Sequence, residues 1–188
     1  MISNKGWPNQ KARQGLAVWR VNRIYALILS KIDALPTDER KIPLVWSKMH
    51  MFSTTQLGKL LALKRGLDPE LVALTCAFHD IYTMFTGLHK DHGVLAETIV
   101  KELVVEYNTQ WRDELPEITP TEVSRIVRAI AVHSDKANIS DDPLAELLKD
   151  ADALDSYLDG CTQDNKSQRI PRINAVLKEF DIDHILVE

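Results

Sequence analysis

The eight residues from Leu71 to Phe78 are apolar except for Thr75, and they run directly into the dipeptide His79-Asp80. An apolar run of helical character belongs in a protein core. A neutral imidazole and a carboxylate placed side by side where that burial ends are costly unless something satisfies them, and a divalent cation does so. Whatever this chain folds into must bury that run and supply partners for its polar end.

The rest of the chain reads as further helices. Apolar residues recur at helical spacing from Gln10 to about Leu35, among them Leu16, Trp19, Ile24, Leu27, Ile28 and Ile32, and Pro36 stops the pattern. Residues Pro36 to Lys41 form a charged loop. A second helix starts near Pro43, carries Trp46, His50, Leu57, Leu60 and Leu61, and stops at Gly66. Asp68-Pro69-Glu70 is an N-cap followed by a first-turn proline, opening the helix that carries His79-Asp80. After a polar loop over Thr86–Asp91 a fourth pattern starts at about His92. Thr119-Pro120-Thr121-Glu122 fits a capping box ahead of the apolar stripe Val123, Ile126, Val127, Ile130 and Ala131, which leads to His133. Asp142-Pro143 repeats the cap-and-proline device and opens a helix that carries Asp150, Asp152 and Asp155 and stops at Gly160. A last helical segment spans about Ile173 to Phe180, followed by a short apolar tail from Ile182 to Val187. No alternating pattern is long enough for a strand and no internal repeat is present, so the expected class is all-α. Trp19, Trp46, Phe78 and Phe85 fall at helical spacing and are expected to pack in the core.

Taken in order, the metal-ligand types read His50, then His79-Asp80, then His92, His133 and Asp152, each beside or inside its own apolar segment. In this order and context the chain resembles the HD-domain metal-dependent phosphohydrolase superfamily, named for the dipeptide, over roughly His50 to Gly160. The resemblance implies one compact helical bundle of about six to eight helices. Its core would lie at about 43–160 of a single domain spanning 1–188, with flanking helices at 10–35 and 166–188. It also implies a primary metal site of His50, His79, Asp80 and Asp152. His92 and His133 match the positions that hold a second ion in relatives with extra histidines, where the dipeptide's aspartate bridges the two. The expected chemistry is two-metal hydrolysis, with Asp80 as the catalytic residue that orients the nucleophile. Imidazole and carboxylate ligands suit manganese, iron, nickel, cobalt or zinc, with magnesium also open, better than calcium.

The expected substrate is a small phosphoester, such as a nucleotide. Lys90, ahead of His92, and Lys136, after His133, are candidate contacts for its anionic group. Branches of the superfamily that act on nucleoside monophosphates or guanosine tetraphosphate place an acid three or four positions after the dipeptide. Here those positions hold Thr83 and Met84, and the motif of the cyclic-dinucleotide phosphodiesterases is also absent. Two other readings share the ligand order: a di-iron oxygenase and a regulatory module that keeps the metal without turnover. Asp150 and Asp155 are expected to be a cap, a salt-bridge partner or a solvated face, at most supporting the ligands, and His89 and His184 structural or surface residues.

A chain of 188 residues, 45% of them hydrophobic, suffices for one domain with a sizeable core. Its formal charge of -4 argues against a stable nucleic-acid partner, which requires a basic surface. Two cysteines, Cys76 and Cys161, make no disulfide framework. No apolar run is long enough to span a bilayer, and the N-terminal residues lack a signal-peptide core, so a cytoplasmic protein without a membrane partner is expected.

Overall fold

A computed structural model describes residues 18–36, 40–160 and 166–183 of the chain. Among them are eight helices and no strand: α1 (Trp19–Ile32), α2 (Leu44–Arg65), α3 (Pro69–Phe78), α4 (Ile81–Thr86), α5 (His92–Trp111), α6 (Pro120–Val132), α7 (Pro143–Leu158) and α8 (Lys166–Glu179). The all-α class is what the sequence implied. The starts and stops follow from local chemistry. Asp68 accepts from the amides of Glu70 and Leu71, Thr119 and Glu122 close a reciprocal capping box, and Asp142 accepts from Leu144. Gly66 ends α2 in the left-handed region, at φ 67°.

Every residue of α3 from Leu71 to Phe78 is buried, with α1, α2, α6 and α7 packed around it. Gly58 lets α2 come close, because a Cβ at that position would lie 2.6 Å from the Cys76 sulfur. Arg20 of α1, itself buried, ties the layers together: its guanidinium reaches Glu70 of α3 at 2.8 Å, Glu122 of α6 at 2.9 Å and the Glu117 carbonyl at 3.1 Å.

Two elements differ from the sequence reading. The helix that was to carry His79-Asp80 ends at Phe78, and a short helix, α4, restarts at Ile81. Adjacent side chains of an unbroken helix diverge by about 100°. The break at Asp80 (φ -105°, ψ 18°) instead lets both members of the dipeptide face one centre. The last helix starts at Lys166, the first residue of the flanking segment that the resemblance implied, rather than with the apolar pattern near Ile173, and it runs through Pro171. A proline inside a helix lacks a donor, but burial of Ile170, Ile173, Val176 and Leu177 and the ion pairs of Arg172 hold the segment together regardless. Residues 10–17, the middle of the charged loop at 37–39, Cys161 and His184 lie outside the described residues.

Candidate metal centre

The six residues singled out by their order come together from five helices. His50 projects from the middle of α2, His79 and Asp80 from the break between α3 and α4, His92 from the first turn of α5, His133 from the end of α6, and Asp152 from the middle of α7. All four imidazoles are buried.

Each imidazole is fixed by its Nδ1. His79 Nδ1 donates to the Cys76 carbonyl at 2.7 Å, His92 Nδ1 to the His89 carbonyl at 2.6 Å, and His133 Nδ1 to the Ile130 carbonyl at 2.6 Å. A carbonyl only accepts, so the proton must sit on Nδ1 and the Nε2 lone pair must point inward. His50 Nδ1 faces the buried Asp155 carboxylate at 2.5 Å, which makes Asp155 the orienting partner of that ring. Trp46 stacks on the face of the same ring, with ring centroids 4.7 Å apart. Trp46 thus packs on the centre, whereas its spacing had suggested a place in the core.

The inward Nε2 atoms form two pairs. Those of His50 and His79 are 3.1 Å apart, and those of His92 and His133 are 3.0 Å apart. Between the pairs lies Asp80, whose Oδ2 is 3.7 Å from both His50 and His79 and whose Oδ1 is 3.0 Å from His92 and 3.5 Å from His133. Asp152 closes the first group, its Oδ1 3.2 Å from His50 and 4.0 Å from His79. His50, His79 and Asp80 each offer a ligand atom within 4.8 Å of the others, and so do Asp80, His92 and His133.

Facing lone pairs 3 Å apart repel unless a proton or a cation lies between them. Asp80 Oδ1 is buried with no hydrogen-bond donor, a costly state for a carboxylate oxygen. These donors fit a divalent ion of intermediate softness. The protons show the same demand. Burial disfavours a charged imidazole at His50, but hydrogen bonds to Asp152 and Asp155 and the nearby charges outweigh it and push the group up to about 10. Burial wins at His79, which drops to about 4. Asp80 and Asp152 are held well below the usual carboxylate range, because the surrounding histidines, and Lys136 in the case of Asp152, outweigh burial.

The packing between α5 and α6 is set by Gly93. A Cβ there would lie 2.5 Å from the Ile130 carbonyl oxygen and 3.2 Å from His133 Nδ1. The same carbonyl orients His133, so the absence of a side chain at 93 keeps the second pair of imidazoles in register. A glycine directly after a histidine in a helix's first turn was the sequence signal for this.

The two lysines lie differently from one another. Lys90 is exposed in the turn before α5. Lys136 is buried to 3% exposure, with its ammonium paired to Asp152 Oδ2 and donating to the His133 carbonyl at 2.7 Å. The sequence reading missed Ser134, whose hydroxyl is 3.2 Å from His92 Nε2. It also missed Arg169 of α8, whose Nη2 lies 4.0 Å from Asp152 Oδ2. Asp150 is turned away and bonds Arg65 and Arg172.

Fold and site together define a helical protein built around a buried histidine–aspartate centre that can hold divalent metal. The model of the HD domain matches residues 48–157, more than half of the chain, and the protein belongs to that family. Comparison with curated proteins and with solved structures finds no match. Among the described residues, no helix is long and apolar enough to cross a membrane.

Proposed function

We propose that the protein hydrolyses a small phosphoester, a nucleotide or another phosphorylated metabolite, at the Asp80 centre. The observation that carries this reading is the placement of one carboxylate between two imidazole pairs, with Oδ2 toward His50 and His79 and Oδ1 toward His92 and His133. The HD-domain family consists largely of metal-dependent phosphohydrolases, which supports the same reading.

His50, His79, Asp80 and Asp152 would hold one ion, and Asp80, His92 and His133 a second. Bound there, such ions supply Lewis acidity toward a phosphoryl oxygen and an acidified water as nucleophile. The protein's own contribution is positional. The Nδ1 contacts to Cys76, His89, Ile130 and Asp155 hold the four rings, and Lys136 keeps Asp152 ionised. Asp80, at 14% the most exposed of the six side chains, meets the attacking water and orients it. Thr83 and Met84 carry no carboxyl group, so neither provides the acid that some relatives place after the dipeptide.

The test is a phosphate-release screen over nucleotides and phosphosugars, with manganese, nickel or cobalt added to the chelated protein. Turnover of at least one ester that requires the added metal is expected. Bound metal without phosphate release from any of them, or oxygen uptake by the iron-loaded protein in its place, would overturn the proposal.

A further inference from the structure

Helix α8 lies beyond the matched residues 48–157, yet it is braced against the centre. Arg172 donates from Nε to the Lys136 carbonyl and from Nη1 to Asp150, each at 2.8 Å, and its Nη2 is 2.8 Å from Glu146. Arg65 of α2 joins Asp150 at 2.8 Å to Glu179, near the other end of α8, at 2.9 Å. These contacts fix the turn of α8 from which Arg169 reaches Asp152.

Asp152 does not need Arg169. Its Oδ2 is already paired with Lys136 and its Oδ1 faces His50. A second cation 4.0 Å from a carboxylate that is to bind metal repels that metal. A centre that only stored cations would be weakened by this arrangement, whereas one that must also receive a polyanion gains from it. Arg169 is the accessible member of the pair, with its side chain 25% exposed against 1% for Lys136. Its guanidinium carries five donors. Among the described residues it forms one hydrogen bond, from Nη1 to Ser156 Oγ at 2.8 Å, which orients the group and leaves Nη2 on the side of the centre.

We propose that Arg169 binds the phosphoryl group of the substrate at the mouth of the Asp80 centre, donating from the guanidinium to its non-bridging oxygens. This deepens the hydrolase reading and rests on it for the identity of the anion. Arginine suits the task because its planar fork meets two oxygens of one phosphoryl group, and a lysine supplies only a point charge. The cation is supplied by a helix outside the family core, so substrate preference here would be set by that appended element.

The probe is inorganic phosphate, titrated calorimetrically into the manganese-loaded full-length chain, with metal content and the phosphate-induced rise in melting temperature measured alongside. Arg169→Gln is expected to weaken phosphate binding about tenfold or more and to abolish most of the phosphate-induced stabilisation, with metal content and the phosphate-free melting temperature unchanged. Arg169→Lys is expected to fall between the two. A merely structural arginine would shift the phosphate-free melting temperature and leave the response to phosphate intact. Phosphate affinity in Arg169→Gln equal to that of the unmodified protein, at equal metal content, overturns the inference, as does an unmodified protein that holds metal but no phosphate. Arg169-dependent phosphate binding in a protein that cleaves no ester would keep the inference and remove the hydrolase reading.

Discussion

Asp80→Ala is expected to abolish phosphoester turnover, a fall of about 10⁴-fold or more, and to leave the protein unable to retain metal through gel filtration. One carboxylate faces both imidazole pairs, so its removal would take a ligand from each of the two proposed ions at once. The fold should survive. Asp80 stands at the start of α4, but its side chain makes no capping hydrogen bond there, and Oδ1 has no donor to lose. Circular dichroism of the variant should therefore match that of the parent protein. Turnover within tenfold of the parent would remove Asp80 from the chemistry, and loss of helical signal would make it a structural residue.

The second large effect is on stability. Lys136→Met removes the cation paired with a buried carboxylate and keeps the bulk of the side chain, and breaking such a pair from one side costs about 3–5 kcal/mol. Asp152 would be left with the His50 imidazole at 3.2 Å and the more distant His79 and Arg169, each at 4.0 Å. Urea unfolding in chelator should show that loss in full. Saturating manganese should recover part of it, because the ion takes over the compensation of Asp152 from the missing ammonium. A loss below about 1 kcal/mol in chelator would mean that the Lys136–Asp152 pair contributes little to the fold.

The parts of this protein that were legible in the sequence are those set by local chemistry. Asp68, Thr119 and Asp142 cap helices because their side chains reach amides two or three residues on, and Gly66 ends α2 because it accepts a positive φ. The six centre residues were legible because each ligand type abuts an apolar segment, and their order matched that of a family. Their convergence was not readable. It depends on the break at Asp80, which a run of apolar residues through α3 and into α4 conceals. The apolar pattern alone starts α8 near Ile173, beyond Pro171, and only the resemblance implied a helix from 166; tertiary ion pairs through Arg172 outweigh the local cost of the proline. Ser134 and Arg169 were invisible for a further reason, because neither carries a local signal and only packing places them at the centre. Lys136 read as a candidate contact for the substrate's anionic group, and its pairing with Asp152, 16 residues later, is set by packing rather than by any local signal.

Asp80 is proposed to join two cation sites into one. Plasma mass spectrometry of the protein reloaded with manganese, beside His92→Ala, tests it most directly. About two ions per chain falling to about one in the variant is the predicted result, since His92 serves only the pair on the Oδ1 side. Equal metal content in both proteins, or a reloaded protein that holds no manganese, would contradict it.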